Sequence, residues 1–204
     1  MKRLSFGLPV RPRKGERNKS PFAISGKVRQ AQLSGAPVFD GVRVFAANEW
    51  LQLEAFRPQV LIGSAMRLKQ LSEEMQAGQI DFNSVDHAVF ILTSCGEVPV
   101  DDVFRVLLWQ SFGVPVYELL VTEDGELLGA DCEAQDGWHL QSGVEPALFS
   151  RELDLRTPAG RLVHTGFTAE ISSRLCPCGR PTPRVVNAER LRRSAPVRRL
   201  AATA

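Results

Sequence analysis

Strand-like and helix-like segments alternate along the first two thirds of the chain. Short strand-like runs occur at 41–47, 59–63, 87–94 and 115–122, and the run 87–94 is continuous and apolar, as is typical of a strand that is buried on both faces. Segments with apolar residues at helical spacing lie between these runs, at 48–56, 65–77 and 100–113. This alternation predicts a largely parallel sheet with helical crossovers, in which 87–94 is the central strand.

Residues typical of caps mark the ends of the three predicted helices. Asn48 and Ser64 stand where a side chain can cap the first two helices, and Gly78 suits the position after the second. Asp101 and Asp102 lie in the first turn of the third helix, where the helix dipole favours carboxylates. The apolar side chains expected on the buried faces are Trp50, Leu51, Leu53, Ala65, Met66, Leu68, Leu71, Met75, Val100, Val103, Phe104, Leu107 and Leu108.

The pattern changes to short strand-like segments between residues 126 and 170. Residues 151–155 and 160–165 are typical of a hairpin around the turn sequence TPAG. The predicted fold class is therefore α/β, with a mostly parallel sheet followed by a small β region.

The net charge of +2 conceals an uneven distribution. Residues 1–20 and 180–204 each carry seven Lys or Arg and one Glu, so the remaining residues 21–179 sum to −10. Basic ends of this kind either contact nucleic acid or another anionic surface, or are simply solvated. Aromatic side chains, which stack on unpaired bases, are nearly absent from them, so nucleic acid is the weaker expectation.

These patterns predict three regions. Residues 1–38 form a basic, loosely ordered arm, 39–185 an α/β domain, and 186–204 a basic tail. No apolar run reaches the roughly 18 residues of a membrane span, and no apolar signal segment follows the basic N-terminus. Four scattered cysteines do not resemble a disulfide framework, so we expect a reducing, cytoplasmic location.

Three cysteines and one histidine lie in two loop-like segments of the predicted β region. Cys132 and His139 are separated by six residues, and Cys176 and Cys178 flank Pro177 in a CPCG sequence. Thiolate and imidazole are the usual ligands of tetrahedral Zn²⁺, and four protein ligands are typical of a structural site. The alternative is that Cys132 is a small buried apolar residue and His139 an ordinary core histidine.

The order of five segments resembles a known family. FRPQVLIGSAMRLKQLSEEM, LTSCGEVPVDDVFRVLLWQSFGVPVYELLVTED, DCEAQDGWHL, GRLVHTG and CPCGRPTPR are similar to the phenylacetate–CoA ligase and coenzyme F390 synthetase branch of the adenylate-forming, AMP-binding enzymes. The resemblance extends over residues 41–184. It implies part of the large domain of such an enzyme. Members of this branch also carry the Cys/His and CPCGR residues, which hold a zinc ion.

The resemblance implies roles for four further residues. Gly96 and Glu97 match the turn beside the adenine, and Thr122 and Glu123 match the pair that contacts phosphate and Mg²⁺. The alternative for Gly96 and Glu97 is an ordinary turn between a strand and a helix, with a solvated carboxylate. If these sites are retained, the cofactors are ATP with Mg²⁺, and coenzyme A.

Several positions depart from the family pattern. Leu119 and Leu120 stand where the family has Tyr and Gly. Either Phe167 stands where the family has an Asp that holds the ribose hydroxyls, or the segment that carries this Asp is deleted. Phenylalanine cannot accept those hydrogen bonds. The chain also has no Ser/Thr/Gly-rich phosphate loop, and only 20 residues follow Arg184. These departures predict a truncated, degenerate ligase-like protein that is stabilised by structural zinc and lacks independent ligase activity.

Two other functions stay open on the sequence. In the first, the chain is one subunit of a split ATP-dependent acyl- or aryl-CoA ligase, whose second chain supplies the missing segments. Alternatively, it binds nucleic acid or an anionic surface through its basic ends. The sequence does not identify an acyl substrate.

Overall fold

The computed structural model describes residues 28–33, 39–147 and 152–190. These residues form three helices and twelve strands in two sheets. The helices are α1 Trp50–Phe56, α2 Ala65–Gln76 and α3 Asp102–Phe112. The strands are β1 Gln30–Leu33, β2 Arg43–Phe45, β3 Val60–Ser64, β4 Ala88–Ser94, β5 Val116–Val121, β6 Leu127–Ala130, β7 Trp138–Leu140, β8 Glu145–Ala147, β9 Asp154–Arg156, β10 Leu162–His164, β11 Phe167–Ser172 and β12 Arg184–Arg190.

The larger sheet has nine strands in the order β11-β12-β7-β6-β5-β4-β3-β1-β2. The half that runs from β5 to β2 is parallel, and the half that runs from β5 to β11 is antiparallel. Strand β4 lies between β3 and β5 and is buried along nearly its whole length, as expected for the central strand of the parallel half. The predicted α/β class with a following β region is confirmed.

All three helices pack on the same face of the parallel half. The connections from β2 to β3, from β3 to β4 and from β4 to β5 all move in one direction across the sheet, and each contains one helix. Right-handed crossovers in one direction place their helices on one side. Leu53, Leu68 and Leu108 of the three helices accordingly share a core with Leu61 and Val89 of the sheet.

Two further apolar clusters complete the core of the described residues. The opposite face of the parallel half is buried around Ile62, Phe90 and Leu119. The antiparallel half packs against the smaller sheet through a cluster that includes Trp138 and Phe167, whose ring centroids are 5.8 Å apart.

The smaller sheet contains the predicted hairpin. Strands β9 and β10 pair antiparallel on either side of the turn 157–160, and β8 adds a third strand beside β9. No helix within 28–33, 39–147 or 152–190 is long and apolar enough to cross a membrane.

The carboxylates expected in the first turn of the third helix lie at its start, with Asp101 at the N-cap and Asp102 in the first turn, and the caps predicted for the other two helices are partly wrong. The Asp101 carboxylate accepts a hydrogen bond of 2.8 Å from the amide of Phe104. Ser64 stands at the N-cap of α2, but its hydroxyl makes no capping bond. Asn48 is not a cap, because α1 begins one residue later and Glu49 occupies the N-cap. The Glu49 carboxylate instead accepts a 2.7 Å bond from the amide of Ala46, which shifts the start of the helix.

Three helix residues expected in the core are exposed instead. Leu51, Met66 and Val103 are 73%, 74% and 78% exposed. Each helix packs on the sheet through one apolar face, centred on Leu53, Leu68 or Leu108, and most of the other predicted core residues pack against the same cluster. The three exposed side chains lie outside these faces, so apolar character alone overestimated the width of the buried faces.

Ordered strands extend into both regions that were predicted to be arms. Strand β1 lies within 1–38 and pairs in parallel with both β2 and β3. Strand β12 continues to residue 190, inside the predicted tail 186–204. The other residues of the two basic ends lie outside the described part of the chain.

Candidate functional site

Four side chains from two turns and one strand converge at the antiparallel end of the large sheet. Cys132 lies in the turn between β6 and β7, and His139 lies on β7 itself. Cys176 and Cys178 lie in the turn between β11 and β12. Because β7 and β12 are paired, with His139 opposite Arg184, the two turns meet on the same side of the sheet.

The distances among the four ligand atoms fit a tetrahedral metal ion. The Sγ atoms of Cys132 and Cys176 are 3.6 Å apart, and Sγ of Cys178 is 3.4 Å from Nε2 of His139. All four ligand atoms lie within 4.8 Å of one another. Zinc bonds of about 2.3 Å to sulfur and about 2.1 Å to nitrogen at tetrahedral angles give ligand separations of about 3.6–3.8 Å. The four residues that were predicted from the sequence therefore form a group that can hold a metal ion.

A threonine orients the histidine of this cluster. Nδ1 of His139 lies 2.7 Å from Oγ1 of Thr182, while Nε2 faces Cys178. With Nε2 as the metal ligand, Nδ1 carries the proton and donates a hydrogen bond to the threonine hydroxyl. Sequence reasoning missed Thr182, because its position depends on how the chain turns after the CPCG sequence.

Tight turns on both sides bring the ligands together. The amide of Gly179, which has φ of +83°, donates a 2.8 Å bond to the carbonyl of Cys176. Gly137, with φ of +84°, lies so close to β12 that a Cβ atom would be 2.3 Å from the carbonyl oxygen of Val185. A side chain at residue 137 would separate the first turn from β12 and disturb the cluster.

Burial and neighbouring charges set the protonation of the ligands. Burial raises the pKa of Cys132 to about 12, helped by the adjacent thiols. Burial also acts to raise the pKa of Cys176, but hydrogen bonds from Cys178 and Cys132 and the charge of Arg184 lower it overall. The pKa of His139 is lowered by burial and by two nearby arginines. A metal ion must therefore displace a proton from Cys132 but finds the imidazole already neutral.

Arg184 places a positive charge beside the cluster. Its side chain is buried, and Nη1 donates to both the carbonyl oxygen, at 2.7 Å, and the carboxylate of Asp136. Three thiolates and one divalent ion carry a net charge of −1, which this guanidinium helps to balance.

A second group of predicted residues lines a cavity of about 480 Å³ at the C-terminal ends of β4 and β5. Gly96, Thr122 and Glu123 lie on its wall, together with residues of the β9–β10 hairpin. Glu97 is not among the lining residues, and its carboxylate accepts a 2.8 Å bond from the amide of Ser94. The structure thus brings three of the four residues in the predicted nucleotide site together.

The polar groups of this cavity are engaged by one another. The Thr122 hydroxyl donates to Asp124 at 2.6 Å and accepts from the amide of Glu126 at 2.8 Å. Arg161 bridges Asp124 and Glu126 through bonds of 2.9–3.1 Å. Lining carboxylates outnumber lining guanidinium groups, so the cavity is acidic.

The residues that depart from the family pattern are buried in the core. Leu119 and Leu120 have no exposed surface and point to opposite faces of β5. Phe167 is also fully buried, where it packs on Trp138. The amide of Gly96 donates a 2.7 Å bond to the carbonyl of Thr165, which covers the turn after β4 with the backbone of the β10–β11 connection.

A buried ionic network links α3 to the sheet. Arg105 donates to Glu118 at 2.7 Å and to Asp131 at 2.6 Å, and the hydroxyl of Thr93 donates to Glu118. Burial raises the pKa of both carboxyl groups, although Arg105 opposes the shift. Sequence reasoning missed this network. The signal was a single Glu within an otherwise apolar strand, since a charged residue there needs a partner.

Cys95 lies outside the four-residue cluster and lines the cavity. Burial, with a contribution from the charge of Glu123, raises its pKa to about 11. Its thiol is therefore protonated at neutral pH and is a poor nucleophile.

The sequence matches no protein-family model and no curated protein. Solved structures are similar in fold. A 2-hydroxyisobutyryl-CoA ligase in complex with 2-HIB-AMP and CoA is 12% identical with a TM-score of 0.57, over 78% of this chain and 44% of the ligase. Coronafacic acid ligase from Pectobacterium brasiliense is 13% identical with a TM-score of 0.53, over 79% and 39% of the two chains. An acyl-CoA synthetase (AMP-forming)/AMP-acid ligase II-like protein from Dyadobacter fermentans is 15% identical with a TM-score of 0.50, over 73% and 41%.

This chain spans less than half the length of each of these proteins. Identities of 12–15% reflect a common fold and leave the activity of the chain open. The mixed sheet, with helices on one face of its parallel half, accounts for the similarity. The chain therefore has the fold of part of the adenylate-forming acyl-CoA ligases.

Proposed function

We propose that this chain is a degenerate relative of the phenylacetate–CoA ligase-like enzymes, which binds structural Zn²⁺ and does not adenylate carboxylates by itself. The zinc ion is held by Cys132, His139, Cys176 and Cys178 and joins the turns at the two ends of the β7–β12 pair. The fold provides a platform for binding, and the acyl-activation chemistry is absent from the isolated chain.

The acidic character of the cavity is the observation that carries this proposal. Acyl-adenylate formation depends on positioning the triphosphate and neutralising its charge. Here Glu123, Asp124 and Glu152 line the wall, and the one lining guanidinium, that of Arg161, is bonded to Asp124 and Glu126. The lining carboxylates repel the phosphates of a nucleoside triphosphate that enters this cavity. A single Mg²⁺ ligand at Glu123 cannot hold the nucleotide, because Mg²⁺ relies on phosphate oxygens that are fixed by other groups.

The choice of zinc rests on the donor set. Three thiolates and one imidazole in tetrahedral spacing favour Zn²⁺ over the hard cations Mg²⁺ and Ca²⁺, which prefer oxygen ligands. All four ligand positions are filled by protein, which leaves none for a reacting water. The proposed ion is therefore structural.

Pyrophosphate release tests the absence of adenylation. The purified, zinc-loaded chain is incubated with MgATP, coenzyme A and a panel of aryl and fatty acids. We expect no pyrophosphate above the level without protein. Turnover by the chain alone that disappears in Glu123→Ala would overturn the proposal, because it would show that the predicted Mg²⁺ ligand still functions.

A split ligase is the second candidate function, because the chain covers less than half of the solved ligases. More than half of the 2-hydroxyisobutyryl-CoA ligase has no counterpart in this chain. In this reading a second chain supplies a phosphate loop and a lysine-bearing domain, and Gly96, Glu97, Thr122 and Glu123 complete the site. Coexpression with the products of neighbouring genes, followed by the same assay, distinguishes the two, since only a split enzyme gains activity.

The cytoplasmic location and the role of the basic ends stay predictions. The residues that carry most of the positive charge lie outside the described part of the chain. Binding to nonspecific DNA that falls steeply with salt concentration would favour an anionic partner.

A further inference from the structure

We propose that the β9–β10 hairpin carries a second metal site, in which Glu152, Asp154 and His164 bind a divalent cation of the Mn²⁺ type. One ligand atom from each of these residues lies within 4.8 Å of the others. This group is separate from the cysteine cluster and shares no residue with the predicted nucleotide site. The proposal goes beyond the structural zinc ion and does not depend on it.

Strand pairing holds two of the three ligands in place. Asp154 on β9 is directly opposite His164 on β10, so both side chains project from the same face of the hairpin. Nδ1 of His164 is 2.9 Å from Oδ1 of Asp154. Bonds of about 2.1 Å at right angles around an octahedral ion place neighbouring ligand atoms about 3 Å apart. The pair can therefore occupy one edge of such a site without moving the backbone.

Glu152 supplies the third ligand from the residue that leads into β9. Its Oε1 atom accepts a 2.9 Å bond from the amide of Gly166, which fixes the carboxylate against the β10–β11 connection. One of its carboxylate oxygens lies within 4.8 Å of the ligand atoms of Asp154 and His164. The three ligands thus come from two sides of one narrow hairpin.

The electrostatics of the surroundings favour a cation. The Asp154 side chain is only 7% exposed, and its bonded neighbour His164 is 70% exposed at the cavity. Glu123, Asp124 and Glu152 add negative charge to the same cavity, and Arg161 is held by Asp124 and Glu126. A divalent ion at the hairpin would balance this charge, and the cavity has room for the water molecules that complete its coordination.

The ligand chemistry selects the class of ion. Two carboxylates and one imidazole suit Mn²⁺, whereas the cysteine cluster presents thiolates, which Mn²⁺ binds poorly. Mn²⁺ therefore does not report on the cysteine cluster once that cluster holds zinc. We use Mn²⁺ as the probe for this reason.

The test is a titration of zinc-loaded, full-length protein with Mn²⁺, in which electron paramagnetic resonance measures the concentration of unbound Mn²⁺. We expect one saturable Mn²⁺ per chain. His164→Gln and Asp154→Asn are each expected to weaken binding by about tenfold or more, since each removes a ligand. Asp81→Asn, which changes an exposed carboxylate in the segment before β4, is the matched control and leaves the affinity unchanged.

Three outcomes would overturn the proposal. One is the absence of saturable Mn²⁺ binding to the wild-type chain. Another is unchanged affinity in His164→Gln, which would show that the imidazole is not a ligand. The third is loss of binding in Glu123→Gln but not in His164→Gln, which would place the ion at the predicted magnesium position. None of these results bears on pyrophosphate release, so the two proposals fail independently.

Discussion

Single residues decide the chemistry at both candidate sites. At the cysteine cluster, Thr182 leaves Nε2 of His139 as the free ligand atom, and Arg184 offsets the charge of three thiolates. At the cavity, Phe167 is fully buried and offers no polar atom where the family resemblance implies a ribose-binding carboxylate. The same fold is therefore expected to bind a metal ion and to reject a nucleotide because of a few side chains.

Removal of one thiolate is expected to abolish zinc binding. Cys176→Ala should bind less than one zinc per chain and unfold at a temperature about 6–12 °C lower, which corresponds to a loss of about 3 kcal/mol in a domain of this size. Cys95→Ala is the control, because Cys95 is the cysteine outside the cluster. Metal analysis after purification in reductant, with thermal unfolding, measures both effects. Equal zinc in Cys176→Ala and wild type would contradict the assignment.

At the scale of elements, α3 is fixed to the sheet by charge as well as by apolar packing. Arg105 reaches from the helix to Glu118 on β5 and to Asp131 after β6. Arg105→Ala leaves two adjacent buried carboxylates without their partner, which is expected to cost about 3–5 kcal/mol. Arg161→Ala removes a more exposed arginine that also makes two salt bridges, and it is expected to cost less than about 1 kcal/mol.

The destabilisation in Arg105→Ala is expected to decrease as the pH falls. Burial raises the pKa of Glu118 and Asp131, so the folded state holds their protons at a higher pH than the unfolded state does. Protonation during acidification towards the unfolded pKa values near 4 therefore stabilises the fold relative to the charged form. Denaturant unfolding of both proteins at pH 8 and pH 5 measures the difference. If the difference in unfolding free energy between wild type and Arg105→Ala is larger at pH 5 than at pH 8, the carboxylates are stabilised by something other than Arg105.

The β6–β7 turn lies so close to β12 that a side chain at residue 137 is expected to destabilise the fold. Gly137 and Gly78 both have positive φ, but a Cβ atom meets the backbone of Val185 at residue 137 and open space at residue 78. Gly78→Ala is expected to cost about 1 kcal/mol of backbone strain. Gly137→Ala is expected to cost at least about 2 kcal/mol more and to weaken zinc binding. Similar stabilities for the two variants would show that the turn can move away from β12.

The sequence predicted the parallel strands and helices because their periodicity is local. It did not locate β1, whose sequence QAQL has little apolar character and which pairs with β2 and β3. It likewise missed the extent of β12, whose charged residues are held between β7 and β11. The four cysteine-cluster residues were recognisable from their types and spacing, whereas Thr182 and the ligands on the β9–β10 hairpin depend on tertiary pairing.

At the scale of the whole molecule, the two halves of the large sheet are held together differently. The parallel half has helices and an extensive apolar core, whereas the antiparallel half is covered by the small sheet and carries the cysteine cluster. Zinc removal is therefore expected to loosen the antiparallel half first. Hydrogen exchange after chelation should show lost protection in β7, β11 and β12, with β3 and β4 unchanged. Uniform loss of protection would indicate that the metal ion stabilises both halves equally.

The separation of the zinc ligands along the chain also has a consequence for folding kinetics. Cys132 and Cys176 are 44 residues apart, and the whole small sheet is formed by the residues between them. Closing a loop of this length has an entropic cost that only the contacts formed inside it can offset. Complete coordination is therefore expected late in folding, after the segment between the ligands is structured. The rate of zinc uptake would then measure how fast the last native contacts form.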